Sequence, residues 1–289
     1  MKTWLITGAS SGIGYATCAQ ALARGDRVIA CARRLDRLEA LQQQYGAQLH
    51  CIHLDLDDAD AISRVIEQAF AGGDHIDVVL SSAGYGLFGA VEELDRNQIE
   101  AQLRTNLLGS ILLLQACLPF LRKQGHGHLM QLSSECGEMS FPALALYQAS
   151  KWGIEGFCEG LRKEVQCLGI EVTLVVPGRV STRFDENIVT PRQLIPAYQG
   201  STVGNYRRLL AMGKFPSPGS VENMATAIIQ CADNPQPPLR LILGSDAYKN
   251  IHRALNQRLQ ELNAQVHSAG QTDSAPPAKP QHPPASVLT

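Results

Sequence analysis

Residues 7–14 read Thr7-Gly8-Ala9-Ser10-Ser11-Gly12-Ile13-Gly14, between a short apolar run at 3–7 and a helical segment at 13–23. Gly8 and Gly12 permit tight turning and close backbone approach, and Gly14 lets a helix pack closely on a strand. A helix starting here offers free N–H groups and a positive dipole end to a pyrophosphate. An isolated glycine triplet reads equally well as a plain strand-to-helix turn; the position directly after a first strand favours a phosphate-binding turn. The spacing is G-x-x-x-G-x-G, not the G-x-G-x-x-G of the commoner dinucleotide fold.

Outward from this turn, strand-like runs at 3–7, 27–32, 49–54, 77–81, 127–132, 170–176 and 240–243 alternate with helix-like segments. Parallel neighbours need long crossovers, usually helical, so the pattern predicts an α/β fold: one Rossmann-type, doubly wound parallel sheet with helices on both faces. Ligands then bind beyond the carboxyl ends of the strands. The predicted domain spans residues 1–264. Within it, 181–218 carries Pro191, Pro196, Pro216 and Pro218 and reads as a lid or substrate loop with short helices. Residues 268–289 hold five prolines, no aromatics and two charged residues, the composition of a flexible tail.

The chain has 289 residues, 45% hydrophobic and 18% charged, enough for a sizeable core. A net charge of -2 with scattered Lys and Arg gives no basic footprint, so no nucleic-acid partner is expected. The eight cysteines form no CxxC pair and sit mostly in apolar segments, which reads as reduced thiols and a cytoplasmic setting. No HxxxH or HExxH pair occurs, so no metal site is expected. The opening residues do not read as a signal peptide. The uncharged stretch at 107–121 is 15 residues long and contains Pro119, short for a membrane span; it reads as a buried or interface helix.

Tyr147 and Lys151 lie four apart in an amphipathic segment, on one helical face. A tyrosine has a pKa near 10 and needs help to exchange a proton near neutrality. A cation about 4 Å away at an effective dielectric near 20 supplies roughly 4 kcal/mol, or about three pKa units. Ser134 follows the strand at 127–132, where its hydroxyl could hold a substrate oxygen; Ser133 is the competing neighbour. Arg33 and Arg34 follow the second strand, where an acidic residue would accept bonds from the ribose of NAD. A guanidinium there suits a 2′-phosphate, so NADP(H) is preferred over NAD(H); the alternative is a pair of solvated loop charges.

The TGASSGIG turn, with Ser134 thirteen positions before Tyr147 and Lys151 four after it, resembles the short-chain dehydrogenase/reductase (SDR) family over about residues 2–264. The resemblance implies a catalytic set of Asn106, Ser134, Tyr147 and Lys151, with Asn106 positioning a water beside the lysine. It implies cofactor contacts from the turn (Gly8, Ser10, Ser11, Gly12, Ile13, Gly14), from Asp55 and Leu56 beside the adenine, and from Ser82, Ala83 and Gly84. Pro177 and Gly178 would line the nicotinamide, with Val180 and Thr182 at its carboxamide.

The implied activity is hydride transfer between NADP(H) and a carbonyl compound or secondary alcohol, and the alternative is an idle NADP(H)-binding sensor or scaffold. One departure is Ser81-Ser82-Ala83-Gly84, where the family commonly has Asn-Asn-Ala-Gly. Several segments look like the 17β-hydroxysteroid-dehydrogenase-like branch, which implies an apolar or steroid-like substrate. Met139, Phe141, Leu144, Phe184, Leu194 and Ile195 suit such a substrate or ordinary loop packing. The family also implies a homodimer or homotetramer, with 106–121 as the apolar candidate surface.

Overall fold

Thr3–Thr7, the first strand (β1), sends Trp4 and Ile6 to one side and Leu5 to the other, and all three are fully buried. Period-two alternation with both sides buried is the pattern of a central parallel strand. The computed structural model describes residues 1–73, 75–180, 187–213 and 218–273. With β2 (Arg27–Ala32), β3 (Leu49–His53), β4 (Val78–Ser81), β5 (Gly127–Leu132), β6 (Ile170–Pro177) and β7 (Arg240–Leu243), β1 builds one parallel sheet in the order β3-β2-β1-β4-β5-β6-β7. These strands match the predicted runs to within a residue at each end. β4 starts after Asp77, whose carboxylate accepts the Thr3 N–H at 2.8 Å and so occupies the strand's entry.

Two cores lie on the two sheet faces. Trp4, Ile6, Val28 and Met130 meet α1 (Gly12–Ala23), α2 (Glu39–Tyr45) and α8 (Val221–Asp233). Leu5, Val79, Leu129 and Val172 meet α3 (Ala59–Ala71), α5 (Ser110–Gln124), α6 (Ala145–Val165) and α9 (Ser245–Asn263). Between β1 and β4 the order reverses, so the helix after β1 and the helix before β4 cover opposite faces and a crevice opens at the carboxyl edge. All eight cysteines are free, and most are buried.

Asp95 caps α4 (Arg96–Leu103) by accepting the Gln98 N–H at 2.9 Å. A π-helical turn at Arg104–Gly109 then joins α4 to α5, giving one continuous helix, Arg96–Gln124, of 29 residues. That is longer than the 15-residue apolar stretch because the charged α4 runs on into it. By length and composition it could cross a membrane, yet Leu113, Leu114, Cys117 and Leu121 are fully buried in the core under the sheet. Its outer side is apolar and partly exposed, with Leu108 50% exposed.

In the predicted lid, 187–213 carries a 3-10 turn at Pro196–Tyr198 and α7 (Thr202–Ala211), capped by Ser201. Thr182 and Phe184 lie outside the described residues. A last short helix, α10 (Val266–Gly270), carries ordered backbone past residue 268, where the sequence suggested the tail begins.

Leu114→Ala opens a void between α5 and the sheet and should lower the unfolding free energy by about 2–5 kcal/mol. A lower urea midpoint with an unchanged slope is the expected readout.

Candidate active site

The glycine turn leaves β1 with Gly8 at φ +67 and Gly12 at φ +56, both in the region that favours glycine. A Cβ on Gly8 would stand 2.8 Å from the Ala83 nitrogen, and one on Gly14 would stand 2.7 Å from the Gly8 carbonyl oxygen. The turn is therefore pressed against the segment after β4. Thr7 completes the join by accepting the Ser82 N–H at 3.1 Å through its hydroxyl. Ser81 contributes no such support, because its hydroxyl is buried without a hydrogen bond.

At the start of α1, Ser11 makes no side-chain cap and the first turn holds no acidic residue. The helix thus leaves N–H groups and an uncompensated positive dipole end facing a cavity of about 520 Å³. A dinucleotide's pyrophosphate fits this donor set. Of the described residues in the implied catalytic and cofactor sets, all but Gly14 and Asn106 line that cavity. Gly14 acts in packing, and Asn106 stands behind the wall. Arg33 is 63% exposed at the cavity rim with its guanidinium 3.9 Å from the Asp55 carboxylate.

Ser134, Tyr147 and Lys151 meet where β5 ends and α6 begins. Ser134 is extended, accepts the Cys136 N–H at 3.2 Å, and lines the same cavity as the Tyr147 phenol. Ser133 instead lies beside Glu155 beneath Gly137, where a Cβ would meet both side chains at 2.8 Å. Lys151 donates to the Leu132 carbonyl at 2.9 Å, with Nζ 5.7 Å from the Tyr147 ring centroid.

Burial pushes the phenol above its ordinary value, Cys136 and Glu135 push the same way, and Ser134 opposes them, so in this arrangement desolvation outweighs any lowering of the phenol. Burial in turn pushes Lys151 down to about 8, against the opposing influence of Cys136 and Glu155.

The Asn106 side chain is held by the segment after β4. Its amide donates to the Tyr85 carbonyl at 2.8 Å and its side-chain oxygen accepts the Tyr85 N–H at 3.1 Å. The side chain braces the turn after Gly84 from the π-helical segment.

Several lining residues had no sequence signal. Asn250 on α9 donates to Glu135 at 2.8 Å, and Asp246 accepts the Arg179 N–H at 2.8 Å. Burial raises the Glu135 carboxyl above its usual value, with the Asn250 bond opposing. Position beside Ser134 and Gly178 could have flagged Glu135 and Arg179. Nothing local marks Asp246 or Asn250. Phe88, Phe141, Leu144 and Tyr206 form the apolar end of the cavity, whereas Met139, Leu194 and Ile195 do not line it.

Comparison with known proteins points one way. The short chain dehydrogenase family model matches residues 2–193. The chain is 34% identical over 254 residues to the oxidoreductase BOA17 of Botryotinia fuckeliana, covering 88% of this chain and 92% of that protein. It is 30% identical over 278 residues to dehydrogenase/reductase SDR family member 7B of Bos taurus, covering 91% and 83%. A short-chain dehydrogenase structure from Streptomyces avermitilis superposes with TM-score 0.87 at 34% identity, covering 94% of this chain and 99% of that one.

The Lys151 shift has a measurable consequence. The group titrates at about 8 when folded and at 10.5 when free, so below about 8 both states hold the proton and the penalty on folding is full. Between those values the unfolded chain binds more protons, and the penalty is relieved as pH rises. Without nucleotide, wild type should gain on Lys151→Met by about 3 kcal/mol across that window. Paired urea titrations at several pH values test this; a pH-independent difference would refute it.

Proposed function

The chain belongs to the short-chain dehydrogenase family and is an oxidoreductase of it, and from that premise we propose that it interconverts a carbonyl compound and a secondary alcohol with NADP(H). The observation that carries this reading is that Ser134, Tyr147 and Lys151 line the same cavity that the glycine turn opens onto. The proposed site set is Asn106, Ser134, Tyr147 and Lys151, together with the cofactor contacts named above.

The nicotinamide, when bound, supplies hydride to the carbonyl carbon or accepts it from the alcohol. Tyr147 delivers the proton from its hydroxyl to the substrate oxygen. Ser134 donates to the same oxygen and holds it on line with the phenol. Lys151 brings a charge that is present at neutral pH and lost near 8. Asn106 acts at one remove by fixing the Gly84-Tyr85 turn.

Arg33 and Arg34, with no acidic residue at the end of β2, support NADP(H) over NAD(H). Phe88, Phe141 and Leu144 beside Tyr147 support an apolar substrate, in keeping with the resemblance to the 17β-hydroxysteroid-dehydrogenase-like branch. The partly exposed apolar side of α5 suits self-association into a homodimer or homotetramer.

A ketone screen followed by NADPH absorbance at 340 nm tests the reading. Tyr147→Phe should lower kcat/KM by about 10²–10⁴-fold while the protein still binds nucleotide. Nucleotide binding with no turnover of any carbonyl by wild type would favour an idle sensor. Arg33→Asp should weaken NADPH by about 10- to 100-fold and leave NADH little changed; equal losses for both would remove the cofactor assignment.

A further inference from the structure

Three segments far apart in sequence close the apolar end of the cavity, and each is pinned by its own hydrogen bond. Phe88 donates its N–H to the Val189 carbonyl at 2.9 Å, and Gly89 donates to Ala143 at 2.9 Å. Ala143 takes φ +66, an unfavourable conformation for a residue with a Cβ, held in place next to the site. Gln148, next to Tyr147 on α6, donates to the Phe141 carbonyl at 2.7 Å. The rings that result are Phe88, Phe141 and Tyr206. Tyr206 lies 6.3 Å from Phe88 and 6.2 Å from Phe141 between centroids, and all three pack on the cluster of Tyr147, Cys136 and Leu144.

Tyr206 belongs to α7, and its neighbour Arg207 ties that helix down. Arg207 donates to Glu93 at 2.5 Å. The Glu93 side chain is 0% exposed and also accepts the N–H groups of Ala90 at 3.0 Å and Ile195 at 3.0 Å. One carboxylate therefore grips both ends of the segment that runs from Ile195 to α7. A surface loop needs no such anchor, since a buried carboxylate is costly unless fully bonded. Its bonding partners lie in the 85–95 segment and in the lid, the two walls whose separation fixes the width of the aromatic end.

We propose that Glu93 is a positioning residue for substrate selection: through Arg207 and the Ile195 amide it sets Tyr206 against Phe88 and Phe141, forming a three-ring wall. That wall selects carbonyl compounds carrying a planar ring over straight-chain ones of equal carbon number. This rests on the carbonyl reading above. A substrate ring stacked on one of these rings gains about two- to tenfold in affinity per pair beyond area burial. An alkyl chain gains the burial alone.

Binding of acetophenone and of 2-octanone to the protein saturated with NADP⁺, where neither ketone can be reduced, tests the wall without turnover. Wild type should bind acetophenone at least about fivefold tighter. Tyr206→Leu should bring the ratio near one. Glu93→Gln and Arg207→Met should each lower it by about threefold or more, leaving NADP⁺ and 2-octanone affinities within about twofold. With NADPH, Glu93→Gln should raise KM for acetophenone and spare kcat. Arg207→Met and Tyr206→Leu carry the test should Glu93→Gln fail to fold.

A wild-type ratio near one, or a Glu93→Gln loss shared equally by both ketones, overturns the proposal. Selective binding of acetophenone by a protein that reduces nothing with NADPH leaves the wall standing and removes the reductase reading. Equal reduction of both ketones does the reverse.

Discussion

Parallel pairing of β1 with β2 on one side and β4 on the other sends the neighbouring helices to opposite faces of the sheet, and neither layer covers the carboxyl edge between them. The rest of the molecule depends on that opening. The N-terminus of α1 points at it because α1 starts where β1 stops, and β5 delivers Ser134 to the same edge. The close approach of Gly8 to Ala83 and of Gly14 to Gly8 keeps the turn tight enough for the helix end to serve as the floor. α9 and the 187–213 segment then supply further walls.

Burial governs the chemistry of those walls, and the outcome turns on how many donors each group retains. Glu93 is enclosed yet held below the usual carboxylate value, because two amides and a guanidinium outweigh its desolvation. Glu135 keeps one side-chain donor, faces Asp246, and rises instead. Tyr147 and Lys151 show the same contest in groups of opposite kind: desolvation favours the neutral form of each, lifting the phenol and lowering the ammonium. The four-residue spacing brought them to one helix face, and the carbonyl of Leu132 took the ammonium.

Much of this was legible in the sequence where the signal is local. Strand limits, the glycine turn and the spacing of Ser134, Tyr147 and Lys151 are contained in stretches of a dozen residues or so, and the folded chain brings them to one cavity. Less legible were groups whose role depends on distant partners. Nothing local in the sequence marks Tyr85 as the partner of the Asn106 side chain, which the fold provides. Leu194 and Ile195 look like substrate contacts by composition, but they stay off the cavity, where Tyr206 stands.

Periodicity and turn chemistry belong to neighbouring residues, so the sequence by itself determined the α/β class, the order of its elements and which residues head for the carboxyl edge. Tertiary structure alone decided which charges meet and which are desolvated. Lys151 faces Leu132, Glu93 clamps α7, and Asn250 reaches Glu135 because separate elements are packed together, a relation that no local pattern encodes. Electrostatic energy varies steeply with distance and burial, and neither quantity exists until the chain has folded.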